Sequence, residues 1–281
     1  HLSLNALINT ENGKMTRRRY LLAFLALLLS CSSPREKALG ELQYLGVDFT
    51  PQEFLHRVRN GDVILTNLFL TAGMDANARF LREYDSTSQG ELNEPTPLMI
   101  AAREGREQVV EVLLKRGAKV NLTAKNGQTA LMYAARYAPI KLVESILVGG
   151  ADINAVDQDG KSALTFAVLF DRLIIVKSLV ENGADPNRVD RFHFSPLMQA
   201  AIKGKGPILQ LLIDHGAKLE ATNDDGMTPL LFAVEYNRIE AVKILLTAGS
   251  RRDAADRKGR TPLSIAAAGK FQTIQQLLLS N

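Results

Sequence analysis

Apolar positions along this chain recur as a couplet rather than in one uniform period. Each couplet opens with a small pair, such as Ala101-Ala102, Ala134-Ala135 or Ala200-Ala201. It closes with a larger apolar run, such as Val109-Val110 with Val112-Leu113-Leu114, or Leu142-Val143 with Ile146-Leu147. The larger run has the spacing of a helix with one buried face. The small pair belongs to a separate helix, the earlier of the two, that neighbours approach closely. Polar, glycine-containing stretches such as Asp157-Gln158-Asp159-Gly160 and Asn223-Asp224-Asp225-Gly226 separate the couplets and have the chemistry of turns.

The couplet is copied every 33 residues. Thr96-Pro97-Leu98 returns as Thr129-Ala130-Leu131, Ser162-Ala163-Leu164, Ser195-Pro196-Leu197, Thr228-Pro229-Leu230 and Thr261-Pro262-Leu263. Three further series keep the same register: Gly117 to Gly249, Gly127 to Gly259 with His193 at one place, and Asn121, Asn154 and Asn187 continuing as Glu220 and Asp253. Thr or Ser caps a helix and Pro or Ala suits its first position. The Gly117 series supplies left-handed helix ends. Each copy is therefore turn, helix, helix, loop. Self-similarity at this period is the mark of a stacked solenoid.

In period and in motif (TPL, then AA, then VVEVLLKRGAKVN at 109–121) the chain resembles the ankyrin repeat family. The resemblance implies an all-α ankyrin-repeat solenoid over residues 48–281, with about seven repeats. The family usually carries His after TPL. Here that place holds Met99, Met132, Thr165, Met198, Leu231 and Ser264, so the bonds that His makes between repeats are missing or replaced. A degenerate first repeat, with Phe54-Leu55, Val58, Gly61-Asp62, Leu68-Phe69-Leu70 and Asn77, matches the second at an offset of 44. The excess over 33 places an insertion near 79–93, read as an enlarged turn. Residues 37–46 suit a short capping helix, reached by a tether from Ser32 to about Arg35. Gln272, Gln275 and Gln276 suit a polar terminal face.

The start of the chain reads differently. Arg17-Arg18-Arg19 precedes the apolar run Tyr20 to Leu29, and Ser30-Cys31 ends it. Ten apolar residues span about 15 Å as a helix, about half a bilayer core, so the run predicts a secretory signal and not a membrane span. Leu28-Leu29-Ser30-Cys31 is similar to a bacterial lipoprotein signal, which implies lipidation of Cys31. Leu29 stands where that pattern prefers a small residue, and a plain signal peptide with Cys31 nearby is the alternative. The expected organisation is an upstream extension at 1–14, a signal peptide at 15–30 and a tether with capping segment at 31–47. The repeats follow. The expected place is the bacterial envelope, lipid-anchored, with a periplasmic, secreted or cytoplasmic protein as the alternatives.

Charge changes this picture little. Four of the basic residues and one acidic residue fall in 1–30, leaving 30 basic against 29 acidic in the rest, a poor footprint for nucleic acid. The single cysteine excludes a disulfide framework within one copy. No HExxH, paired CxxC, P-loop or GxGxxG occurs. Gly204-Lys205-Gly206 falls between the two helices of a repeat and reads as a turn. His193 and His215 lie at different heights of the repeat, which argues against a metal site. Asp159, Asp225 and Asp256 read as turn formers, and the sequon Asn121-Leu122-Thr123 as part of the repeat pattern. No catalytic residues, cofactor or metal are expected.

The resemblance also implies where a partner sits: on a concave face of turn tips and first-helix positions. These positions hold Arg136 and Tyr137, Leu169 and Phe170, Phe192 and Phe194, Ile202 and Lys203, and Glu235 and Tyr236. Tyr137, Phe170 and Tyr236 share one repeat position, and exposed large apolar groups mark binding surfaces. The other reading of the Phe192 and Phe194 pair is packing against neighbouring turns. The expected function is a non-catalytic module that binds a protein partner as a monomer. The alternatives are an accessory or regulatory subunit of an enzyme, or a cytoplasmic scaffold.

Overall fold

A computed structural model describes residues 33–79 and 94–280, and the described chain forms two bodies that meet in sequence at Lys119 and Val120. The signal segment, Cys31 and nearly all of the 79–93 insertion lie outside the described residues.

The first body holds α1 (Pro34–Tyr44), α2 (Pro51–Asn60), α3 (Val63–Thr71), α4 (Pro97–Arg103) and α5 (Glu107–Lys115). Helices α2 and α3 are the degenerate first repeat, and α4 and α5 are the second. Helix α2 packs on α4 and α3 on α5, while α1 covers α3. Helix α1 starts earlier than the sequence suggests. Ser33 and Glu36 form a reciprocal capping box, and Pro34 takes the first helical position, so Ser33 to Arg35 belong to the cap rather than to a tether. Arg35 ties α1 down by donating to the Ala72 carbonyl at 3.1 Å, and Ala38 and Leu42 bury its inner face.

The second body holds five repeats, each a pair of helices. They are α6 (Ala130–Tyr137) with α7 (Ile140–Val148), α8 (Ala163–Leu169) with α9 (Leu173–Glu181), α10 (Pro196–Lys203) with α11 (Gly206–Asp214), α12 (Pro229–Glu235) with α13 (Ile239–Thr247), and α14 (Pro262–Ala268) with α15 (Gln272–Leu279). First helices pack on first helices of the next repeat, and second on second. The small pairs lie between the first helices, buried throughout from Ala134-Ala135 to Ala233-Val234. In α7 the buried face is Leu142, Val143 and Ile146, with Leu147 at its half-exposed margin.

Four of the six residues that stand for the family His close the helix start locally. The Met99 and Met198 sulfurs accept from the Thr96 and Ser195 amides at 3.5 and 3.4 Å. Thr165 and Ser264 do the same with hydroxyls at 3.4 and 2.9 Å. Thioethers are weak acceptors, so these two boxes lean on the buried methionine body as much as on the bond.

Candidate functional site

The face begins with the turn tips, or fingers, that precede each first helix of the second body. One buried side chain shapes each of the last four fingers. Asp157 Oδ1 accepts from the Asp159 and Lys161 amides, both at 2.9 Å, and Asp190 holds the Phe192 and Phe194 amides at 3.0 and 2.9 Å. Asn223 and Asp256 repeat the arrangement. Asp256 therefore belongs to this buried series, whereas Asp159 and Asp225 occupy the tips themselves.

Adjacent fingers are joined through backbone. The Gln158, Arg191 and Arg257 amides donate to the Asn126, Asp159 and Asp225 carbonyls at 3.1, 2.8 and 2.9 Å. Approach this close requires the turn glycines. A Cβ on Gly127, Gly160 or Gly226, all at positive φ, would meet the next finger's amide nitrogen at 2.8 to 3.0 Å. His193 stands at the equivalent place with φ 59°. Its junction has no such backbone bond among the described residues. Instead His193 Nδ1 lies 2.8 Å from Asp224 Oδ1.

Beside the fingers lie the first-helix ends. Tyr137 and Phe170, 38% and 40% exposed, face each other with ring centroids 6.0 Å apart. The Arg136 guanidinium covers both rings, at 4.7 and 4.3 Å from their centroids. Leu169 and Ile202 are half-buried beside this row, and Lys203 is exposed in it. Tyr236, 48% exposed, holds the same position one repeat further on. Its neighbour Glu235 accepts from Arg260 at 2.9 Å, and Arg260 Nε also reaches Asp256 Oδ2 at 2.6 Å. Burial pushes the Asp256 carboxyl up, but the Arg260 amide and guanidinium and the Lys258 amide outweigh it and hold the group below the usual aspartate range.

The two candidate phenylalanines separate. Phe192 is 52% exposed, with the Arg191 guanidinium 4.7 Å from its ring centroid. Phe194 takes the packing alternative. It is half-buried, 5.2 Å from the buried Phe232 ring.

One side-chain series escaped the sequence reading, and another gains its role here. Arg172 and Arg238, just before second helices, reach back to the Arg136 and Ile202 carbonyls at 3.1 and 2.8 Å and so cap the previous repeat's first helix. Arg106 does the same for Arg59 in the first body at 2.8 Å. Their spacing of 66, two repeats, was the available signal. The asparagines are clamps. Asn121 donates to the Gly150 carbonyl at 3.0 Å and accepts from the Asp152 amide at 2.8 Å, and Asn154 and Asn187 do likewise. Both ends of the sequon asparagine are thus engaged between repeats.

His193 and His215 do not converge: the first pairs with Asp224, and the second contacts the Leu211 carbonyl at 2.9 Å. No group of three His, Cys, Asp or Glu placed to hold a metal occurs among the described residues. Cavities of about 310 and 350 Å³ in the first body include none of the candidate residues.

A family model described as ankyrin repeats (3 copies) matches residues 54–157, 98–190, 138–223 and 197–281, overlapping stretches that run through most of the chain. No curated protein matches the chain.

Proposed function

Because the chain belongs to the ankyrin repeat family, whose repeats generally mediate protein–protein interaction and which is typically non-catalytic, we propose that it is a non-catalytic module binding a protein partner on the fingers and first-helix ends of its second body. The observation that carries this reading is the Tyr137–Phe170 pair under Arg136. Two exposed rings sit at equivalent positions of adjacent repeats under the half-buried Arg136 guanidinium, where repeat geometry asks only for a helix end. Aromatic and arginine side chains in such clusters carry most of the affinity of an interface. The test is the triple change Tyr137→Ala, Phe170→Ala and Tyr236→Ala. Each ring should contribute about 1–3 kcal/mol to binding while each change leaves stability within about 1 kcal/mol. A triple variant that unfolds but binds normally when folded would mean that the row is core.

The same module is read as an exported lipoprotein of the bacterial envelope. The support is the Arg-rich start, the short apolar run and Cys31 directly after it. No helix among the described residues is long and apolar enough to cross a membrane. One acyl chain gives marginal anchoring and several hold firmly. Mass spectrometry of the N-terminal peptide should find a chain that starts at an acylated Cys31. An unprocessed chain from Met15 in the soluble fraction would overturn it.

A further inference from the structure

The finger face is not electrically uniform. Across the third to fifth repeats its positions hold five cations, Lys125, Arg136, Lys161, Arg191 and Lys203, against one carboxylate, Asp159. That carboxylate is already taken, by Lys161 at 3.1 Å and Arg191 at 2.9 Å. Lys125 and Lys203 are exposed, and neither ammonium has a carboxylate partner among the described residues. Nearby Asp171 is neutralised by Lys205. The cationic stretch coincides with the exposed rings of Tyr137, Phe170 and Phe192. It stops at the sixth repeat, whose face carries Asp224, Asp225 and Glu235.

We propose that the third to fifth repeats recognise an acidic protein segment bearing apolar side chains, whose carboxylates meet Lys125 and Lys203 while its apolar groups cover Tyr137 and Phe170. This rests on the proposed function above and names the chemistry of the partner. Unlike charges across an interface steer encounter and fix register, and a basic segment would place like charges together. The carboxylates of the sixth repeat end the cationic run after three repeats. A short acidic segment fits such a patch, whereas a nucleic-acid strand favours a groove that follows its backbone.

The test titrates the full chain with three labelled probes of equal length: a peptide alternating Glu with Phe, one alternating Lys with Phe, and single-stranded oligouridylate. The Glu/Phe peptide should bind most tightly and weaken as salt rises from about 0.05 to about 0.5 M. Lys125→Glu with Lys203→Glu should weaken it by about five- to tenfold, since each exposed charge pair contributes little alone. Lys125→Gln with Lys203→Gln should fall between, and thermal melts of both variants should match the parent. Equal binding of the two peptides, tighter binding of oligouridylate, or no effect of the charge reversal would overturn the proposal. Tighter binding of the Lys/Phe peptide, lost on Phe170→Ala, would also overturn it while leaving the face as a binding surface. If no probe binds, this inference fails, and the triple aromatic variant decides separately whether the face binds a partner at all.

Discussion

At the tip of each finger, one missing carbon decides how closely two repeats can meet. Gly127, Gly160 and Gly226 let the next finger's amide reach a carbonyl, and His193 does not. The sequence displays His193 as an irregularity in a glycine series, but not that the irregularity removes a backbone bond, because that depends on where the neighbouring repeat lies. Hydrogen exchange should therefore find the Asp224 amide opening more readily than those of Arg191 and Arg257. His193→Gly should bring its protection up to theirs, and an unchanged rate would show that the junction is held another way. Asp256 offers a second residue-scale check. Its folded carboxyl lies below the ordinary value of about 3.9, so its contribution is complete above that pH and is lost as pH falls through the folded value. Asp256→Asn should keep both finger amides bonded, as Asn223 does one repeat earlier, and flatten the stability profile below about pH 4. An identical acid profile in the variant would assign the acid sensitivity elsewhere.

Helices and their ends were the most legible level. Thr96, Thr129, Ser162, Ser195, Thr228 and Thr261 cap the first helices in the places their spacing predicts, because an N-cap is a local bargain between one hydroxyl and an amide three residues on. The start of α1 was less legible. Ser33 and Glu36 form a capping box, but the helix also depends on Arg35 and the buried Ala38 and Leu42 docking on α3, which local sequence does not encode. Burial within α7 likewise needed the packed neighbour to separate Ile146 from Leu147. Ile146→Ala should cost about 2–5 kcal/mol, a cavity on the buried face of α7. Leu147→Ala should cost less. Leu279→Ala, 67% exposed in α15, should stay within about 0.5 kcal/mol. Urea titrations giving the three variants equal losses would contradict a stack in which each repeat leans on its neighbours.

Over the whole molecule, the repeat period made the fold readable, since four series in one register leave few other architectures. The face was readable only as positions. Which rings emerge was set by contacts between repeats: Phe194 turns onto Phe232, Phe192 stays out under Arg191, and Tyr137 and Phe170 share the Arg136 guanidinium. The face therefore describes its complement only once the repeats are stacked, through charge and exposed rings together. A photoreactive side chain placed at Phe170 in the living source cell interrogates that surface directly, with the same group at Gln276, exposed on α15, as the reference. A discrete protein adduct is expected from position 170, lost when Tyr137 and Tyr236 are also changed to Ala, and none from 276. Adducts from 276 alone, or an adduct at 170 that is indifferent to the neighbouring rings, would contradict binding at this face.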